Sequence, residues 1–562
     1  MKLTGAHIII HLLERQGVKI IAGIPGGASL PLYDALSQSQ IIHHVLARHE
    51  QGAGFIAQGL ARATGEPAVC FATSGPGATN IITALADAKL DSIPLVCITG
   101  QVPSAMIGTD AFQEVDTYGM SIPVTKHNFL VRSAAELFRV IPDAFRIAAS
   151  GRPGPVLVDV PKDVQMQEYE FSDWPEPGQA DPAPVFAQDA VQAAAAMINT
   201  AERPILYLGG GVIASGAGHL ATRLAEQAGL PTTMTLMGLG AMPVNHPRAI
   251  GMLGMHAARY TNIALEACDL LIAVGARFDD RATGKVAAFC PQARIIHIDI
   301  DPSELDKVKT AHVGIVGDVR EVLQALLPLI DEQSRTTWLT QIDALKAQHP
   351  LQIPGADDPS MPYGLVLQTA RFLDDDAIIT TDVGQHQMWA AQVYPLQHSR
   401  QWLTSGGLGT MGFGLPAAIG AALAYPQRTV VCFSGDGSLL MNIQELVTAV
   451  EENVNVKIVL MNNMSLGLVH QQQDLFYDKR LFASDYQARV DFCAVARGFG
   501  MTAYDLATAT DPYSTLAQAL TTPGPCLINA PIDIAEKVYP MVPPGAANKD
   551  MIGGETYATA GA

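Results

Sequence analysis

Short, continuous apolar runs recur along this chain, among them Ala68-Val69-Cys70-Phe71, Ile205-Leu206-Tyr207-Leu208 and Val430-Val431-Cys432-Phe433. Each leads into a glycine-bearing turn and then a stretch of helical character. Continuous rather than alternating runs belong to strands buried on both faces. Their alternation with helices is the pattern of parallel, doubly wound α/β sheets. Such sheets bind ligands beyond the carboxyl ends of their strands. At 562 residues the chain is too long for one core, since single cores stop growing at around 250–300 residues.

Two shifts in composition divide it. Residues 166–190 hold Trp174-Pro175-Glu176-Pro177 and Asp181-Pro182-Ala183-Pro184, a proline-punctuated linker; residues 331–361 are polar and end in Gly355-Ala356-Asp357-Asp358-Pro359. Three blocks are expected, 1–165, 190–330 and 362–540, with a Pro/Gly-rich tail over 541–562 that is either mobile or draped on another surface.

Composition removes several function classes. Lys+Arg 35 against Asp+Glu 54 leaves a net charge of −19, which excludes a nucleic-acid partner held by phosphate neutralisation. The uncharged window Gln401–Gln427 carries six glycines and two prolines; these would expose backbone groups in lipid, so no membrane span is expected. At the N-terminus His11 breaks the apolar run and Glu14 and Arg15 follow, which predicts an amphipathic helix rather than a signal peptide. The seven cysteines lack C-x-x-C spacing and sit mostly in apolar runs, as buried small hydrophobes of a reducing, cytoplasmic compartment would. Fifty glycines against 6% aromatics fit an enzyme whose backbone approaches ligands closely.

The last block carries the strongest constellation. The strand-like Thr429–Ser434 ends in Gly435-Asp436-Gly437-Ser438; a helical stretch follows over Met441–Glu452, and the next strand, Val456–Met461, ends in Asn462-Asn463. Both polar clusters therefore lie at one sheet edge, a β-α-β unit apart. An aspartate carboxylate and an asparagine amide oxygen are hard ligands suited to Mg²⁺. Glycines beside Asp436 let backbone N–H groups and a helix N-terminus meet a diphosphate. GDG alone is a common tight turn and NN a common loop. Together, with 24 residues between Gly437 and Asn462, they match the thiamine-diphosphate signature. That cofactor makes a second demand, a carboxylic acid against the ring nitrogen of its aminopyrimidine. Glu50, at the end of a short strand and the start of a small-residue helix, is the candidate.

The chain resembles the large catalytic subunits of acetohydroxyacid (acetolactate) synthase over essentially its whole length, and is most like the bacterial enzymes. The resemblance is carried by Gly23–Gly27, Arg48–Ala53, Ser74–Asn80, Gly108–Glu114 and Gly151–Pro155, then by Gly275–Arg281, Gly384–Trp389 and Gly409–Gly414. It implies pyrimidine-binding, FAD-binding and diphosphate-binding domains, and a homodimer or dimer of dimers. Glu50 of one chain would face the thiamine diphosphate held by the other. It implies decarboxylation of pyruvate and transfer of the hydroxyethyl unit to a second pyruvate or to 2-ketobutyrate. The metal would take Asp436, Asn463 and the backbone carbonyl of Ser465. Gly384, Gln385, His386, Gly409, Gly435, Gly437 and Ser438 would lie by the thiamine cofactor, with Met411 bracing its bent shape. Gly27 and Gln113 would border the reacting centre beside Glu50. Arg281 would take the second substrate's carboxylate, and Phe112, Lys162 and Met255 would line the approach.

For FAD, in a role without net redox, the glycine turn Gly209, Gly210 and Gly211 does not spell G-x-G-x-x-G and is weak alone. The resemblance adds Arg152, His256, Gly275, Arg277, Asp279 and Asp299. It also suggests a separate small regulatory subunit. Related thiamine enzymes fit less well. Pyruvate decarboxylases carry a histidine pair near the position of Phe112-Gln113, whereas His43-His44 lies before Glu50; glyoxylate carboligase lacks the glutamate; pyruvate oxidase needs a redox-competent flavin. One departure from the family concerns specificity: Gln472 stands where a tryptophan favouring 2-ketobutyrate is usual. A wider, more polar pocket predicts weak discrimination between the two acceptors. Product ratios from mixed pyruvate and 2-ketobutyrate check this, and a strong preference for 2-ketobutyrate would contradict it.

Overall fold

The computed structural model describes residues 1–554. Three six-stranded sheets form its frame, and within each every strand pair is parallel. The first runs His43–Leu46, Ile20–Gly23, Ala68–Ala72, Leu95–Gln101, Pro155–Pro161, His127–Leu130 across the sheet. The third runs Trp402–Thr404, Ile378–Thr381, Val430–Gly435, Val456–Asn462, Cys526–Pro531, Thr502–Asp505. Numbered along each block, both have the spatial order 2-1-3-4-6-5. The middle sheet runs Ala249–Met252, Thr232–Met234, Pro204–Leu208, Leu270–Val274, Arg294–Asp299, Val313–Val316, the order 3-2-1-4-5-6 of dinucleotide-binding folds. No repeat is visible in the sequence; the shared topology of the first and third sheets emerges only from strand pairing.

Each sheet has a place beside its first strand where the strand order reverses, leaving a crevice at the strand carboxyl ends. In the first it opens beside Ile24-Pro25-Gly26-Gly27 and Thr73-Ser74-Gly75. The second opens between Gly209–Gly211 and Gly275, and the third between Asp382-Val383-Gly384 and Asp436. The central strands Ala68–Ala72, Leu270–Val274 and Val430–Gly435 are buried along their whole length, as strands with helices on both faces must be.

Local elements follow the sequence closely. Thr4 caps the N-terminal helix Gly5–Arg15, whose Ile8, Ile9, Leu12 and Leu13 are buried. The proline-rich stretch after residue 166 is tied down: Trp174 stacks on Phe138, and the Arg15 guanidinium donates to the Pro175 carbonyl. The polar stretch 331–361 contains a helix, Thr336–Gln348, whose buried Trp338 donates to the Pro204 carbonyl at 3.0 Å. The helix expected over Met441–Glu452 starts only at Glu445 and runs Glu445–Glu451, and the turn expected before it is itself a short helix, Asp436–Leu439. Between them Asn442 turns its side chain to the Gly412 carbonyl, 2.6 Å away. All seven cysteines are buried and unpaired. From Pro540 the chain lies across the middle domain, with Val542 N–H donating to Met255 O, Asn548 to Ala282 O, and Arg259 to the carbonyls of Met551 and Gly553. The tail from 541 is thus draped as far as residue 554; the remainder of the 541–562 tail lies outside the described residues. No helix among the described residues is long and apolar enough to cross a membrane.

The first and third domains meet through the helices Glu50–Thr64 and Gly414–Ala424, which touch backbone to backbone. A Cβ on Gly59 would fall 2.1 Å from the Ala417 carbonyl oxygen, and one on Gly420 would fall 2.0 Å from that of Ile56. Gly420→Val should therefore cost about 1–3 kcal/mol or more by overpacking. Gly498→Ala, at a helix end where a Cβ meets nothing, should be neutral or stabilising. Denaturant unfolding of the two variants checks the contrast.

Candidate active site

At the reversal point of the third sheet, Asp436 opens a short helix capped by Gly435, and Asn463 follows the adjacent strand. The Ser465 N–H donates to both Asp436 Oδ2 and Asn463 Oδ1, each at 3.2 Å. One amide thus holds two side-chain oxygens from neighbouring strands close together, and both are hard donors of the kind a divalent cation takes. Burial pushes the Asp436 carboxyl up to about 6, so an anion is held here at a cost that a bound cation would offset. Among the described residues no group of three or more His, Cys, Asp or Glu gathers; this set has one carboxylate, with amide and carbonyl oxygens for the rest.

A narrow cleft of about 60 Å³ adjoins these oxygens. Gly384, Gln385, His386, Met411, Gly435, Gly437 and Ser438 line it together with Asp436, Asn463 and Ser465. Gly384 and Gly435 are glycines because His386 stands against both: a Cβ on either would fall 2.8 or 2.9 Å from its ring. Burial holds the imidazole neutral, its pKa lowered to about 3, and His386 Nε2 is buried without a partner. Gln385 is fixed by Asn463 Nδ2, which donates to its Oε1 at 3.1 Å, while its own Nε2 donates to Gln471. An orphaned donor or acceptor facing glycines beside a helix N-terminus fits a diphosphate.

Across from this cleft, at the reversal point of the middle sheet, lies a cavity of about 830 Å³. All nine residues expected at FAD line it: Arg152, Gly209, Gly210, Gly211, His256, Gly275, Arg277, Asp279 and Asp299. Gly209 and Gly275 also allow the two strand ends to touch, since a Cβ on Gly209 would lie 2.1 Å from Gly275 O. Burial raises the Asp299 carboxyl to about 6 and lowers His256 to about 4; His256 Nδ1 meets Pro540 O at 3.2 Å. Thr235 Oγ1 and Glu304 Oε2, both on residues of the cavity wall, are buried without partners. The size and these unsatisfied groups suit a large polar cofactor.

The same cavity gathers Met255, Arg281, Gln472 and Gly409. Gly409 therefore faces this larger space rather than the narrow cleft. Arg281 is exposed; its guanidinium lies 3.9 Å from Met255 Sδ and only 3.7 Å from Asp280, so no tight ion pair removes it from duty.

The first domain holds a separate cluster. Glu50 begins its helix behind His49, whose ring accepts from Gln51 N–H. The Glu50 carboxylate is buried and accepts from Asn80 Nδ2 at 2.9 Å, with Gly77 alongside and Thr73 Oγ1 unpartnered. Gly75 packs on Gln113, which has a left-handed backbone (φ 58°). Gly27 has open space before it, Lys162 is half-buried, and Phe112 is 88% exposed. None of these residues lines the cleft of Asp436 or the larger cavity within the same chain.

Sequence reasoning missed the groups that hold the site from behind. Asp382, buried, accepts from Gly414 N–H and Ser434 Oγ and so joins the cleft to the interdomain helix. Glu304 pairs with Arg152 at 2.6 Å. Asp382 stands beside Gly384 at a strand end, a usable signal; Glu304 had none.

Three parallel sheets, with a glycine-lined cleft beside Asp436 and Asn463 at the reversal point of the last, are the arrangement of a thiamine pyrophosphate enzyme. The chain matches the N-terminal TPP binding domain of that class over residues 3–120, its central domain over 191–326 and its C-terminal TPP binding domain over 382–530. It is 61% identical over 552 residues to the acetolactate synthase isozyme 1 large subunit of Escherichia coli, spanning 98% of both chains. To that organism's isozyme 2 large subunit it is 46% identical, over 98% of this chain and 99% of the relative. To acetolactate synthase 1, chloroplastic, of Nicotiana tabacum it is 45% identical, over 98% and 84%. The chain belongs to the acetolactate synthase large-subunit family. Asp436→Asn should weaken magnesium-dependent thiamine diphosphate binding by more than the about 10–100-fold that loss of an outer-shell partner costs. Fluorescence titration of the apoenzyme measures it.

Proposed function

We propose that this chain decarboxylates pyruvate and joins the two-carbon unit to a second pyruvate, giving 2-acetolactate, or to 2-ketobutyrate, giving 2-aceto-2-hydroxybutyrate. The observation that carries this reading is the convergence of Asp436 and Asn463 oxygens on the Ser465 amide, beside a cavity that gathers Arg281, Met255 and Gln472. Bound thiamine diphosphate supplies a nucleophilic carbon and the electron sink that decarboxylation of a 2-keto acid needs.

In this reading Asp436, Asn463 and the Ser465 carbonyl hold Mg²⁺, which fixes the diphosphate. Neutral His386, Gln385, Ser438 and the backbone at Gly384, Gly435 and Gly437 would hold the diphosphate, and Met411 would brace the cofactor. Glu50, buried and steadied by Asn80, holds or releases a proton at the aminopyrimidine nitrogen. Its cluster does not line the Asp436 cleft of its own chain, and neither do Gly27, Gln113, Phe112 and Lys162, which supports a homodimer in which a second copy completes each centre. Arg281 draws the carboxylate of the acceptor keto acid, and the apolar wall at Met255 keeps water from the reacting carbon. FAD occupies the larger cavity through Arg152, His256, Arg277, Asp279, Asp299 and the glycine turns, without net electron transfer. A separate small regulatory subunit completes the assembly.

Glu50→Gln should reduce turnover by about 10²–10⁴-fold, the usual worth of a general acid–base group. The acetoin colour formed from pyruvate after acidification reads this out. Oxygen uptake by the unaltered enzyme should stay far below product formation; stoichiometric uptake would instead indicate an oxidase.

A further inference from the structure

The corner that delivers Glu50 is held from the other end of the molecule. Its strand, His43–Leu46, is the edge strand of the first sheet, and Arg48 and His49 turn the chain into the Glu50 helix. Against this corner lies the helix Glu445–Glu451 of the third domain, which follows the Asp436 turn. Three carboxylates from that segment grip it. Glu445 Oε1 accepts the Arg48 N–H at 3.0 Å, Glu451 pairs with the Arg48 guanidinium, and Glu452 meets His43 Nε2 at 2.7 Å.

Glu445 differs from the other two in being wholly buried. Its Oε2 accepts the Thr448 hydroxyl at 2.7 Å; burial raises its carboxyl above the usual range, and the Thr448 and Arg48 hydrogen bonds oppose that rise. Gly52, in the first turn of the Glu50 helix, is cut back to admit it: a Cβ there would stand 2.5 Å from Glu445 Oε1. Burying a carboxylate is expensive, and an apolar residue at this packing position would cost less. What the carboxylate adds is directional: the Arg48 amide, two residues ahead of Glu50, is tied to a fixed point.

We propose that Glu445 is a positioning residue for Glu50, fixing the Arg48-His49 corner and thereby the place and direction of the Glu50 carboxyl. This rests on the reading of Glu50 given above.

The experiment uses the intact holoenzyme with Mg²⁺ and thiamine diphosphate. Four variants are compared: Glu445→Leu, Glu445→Gln, Gly52→Ala and Glu50→Gln. The readouts are amide hydrogen exchange across residues 46–56, the C2 proton exchange rate of the bound cofactor by quenched-flow NMR, and kcat with pyruvate KM. Glu445→Leu should expose the Arg48 amide to exchange and slow C2 exchange and kcat together. The expected loss is about 100-fold, the scale of a misplacement near 1 Å, with KM little changed. Glu445→Gln keeps an oxygen for Arg48 N–H and should recover most of both rates. Gly52→Ala displaces the carboxylate without removing it and should repeat the Leu pattern more mildly, which keeps the test open if the Leu variant does not fold. Slowed C2 exchange in Glu50→Gln with normal exchange in the Glu445→Leu and Gly52→Ala proteins overturns the positioning role. Unchanged C2 exchange in Glu50→Gln overturns the reading of Glu50 itself.

Discussion

The contact between the helices Glu50–Thr64 and Gly414–Ala424 is the joint on which the rest of the molecule hangs. Gly59 and Gly420 let the two backbones touch, so neither helix can rotate or slide without a clash. Beside the glycines, Arg62 is buried with Asp87 and Asp91, at 2.9 and 2.8 Å, and its guanidinium lies over the Phe413 ring. One cation cannot neutralise two carboxylates; the remainder is met by hydrogen bonds from the third domain. Ser405 and Thr410 donate to Asp87, and the Gly406 and Gly407 amides to Asp91. Removing one member of such a group leaves a buried charge uncompensated, which costs about 3–5 kcal/mol. The segment so fixed, Thr404–Thr410, leads directly into Met411.

How much of this was legible beforehand depended on whether the signal was local. The strand-turn-helix rhythm and the GDG and NN pair are written in consecutive residues, and the strands ending at Gly435 and Asn462 appeared where their apolar runs stop. The Thr336–Gln348 helix hid inside a polar stretch because only Trp338 and Ile342 are buried on it. The late start of the helix at Glu445 was invisible because Asn442, just before it, reaches Gly412, thirty residues away. Arg62, Asp87 and Glu445 gave no sign for the same reason: each is explained by a partner in another domain, and charge on a helix ordinarily means a solvated face.

The buried titratable groups sort by what surrounds them. Asp382 and Glu445 are raised by burial yet met by backbone amides and hydroxyls, and act as anchors. Asp436, Asp299 and His386 are equally shielded but keep atoms facing a cavity, with His386 Nε2 unpartnered. Desolvation alone therefore does not mark the site; desolvation beside empty space does.

The same distinction bears on why Glu50 and Asp436 belong to different clusters. Both are carboxyls kept from water, and two of them on one bare surface would repel with nothing to compensate. Carrying them on separate domains, each with its own satisfied shell, lets the chain fold before any cofactor arrives. Phe112, 88% exposed next to Gln113, and Gly27, with open space before it, show that the first-domain cluster is finished as a fold and unfinished as a surface. A large aromatic left in water forfeits hydrophobic stabilisation that only a further contact can recover. In the homodimer proposed above, a second copy bringing its own Asp436 cleft to that surface would supply the contact.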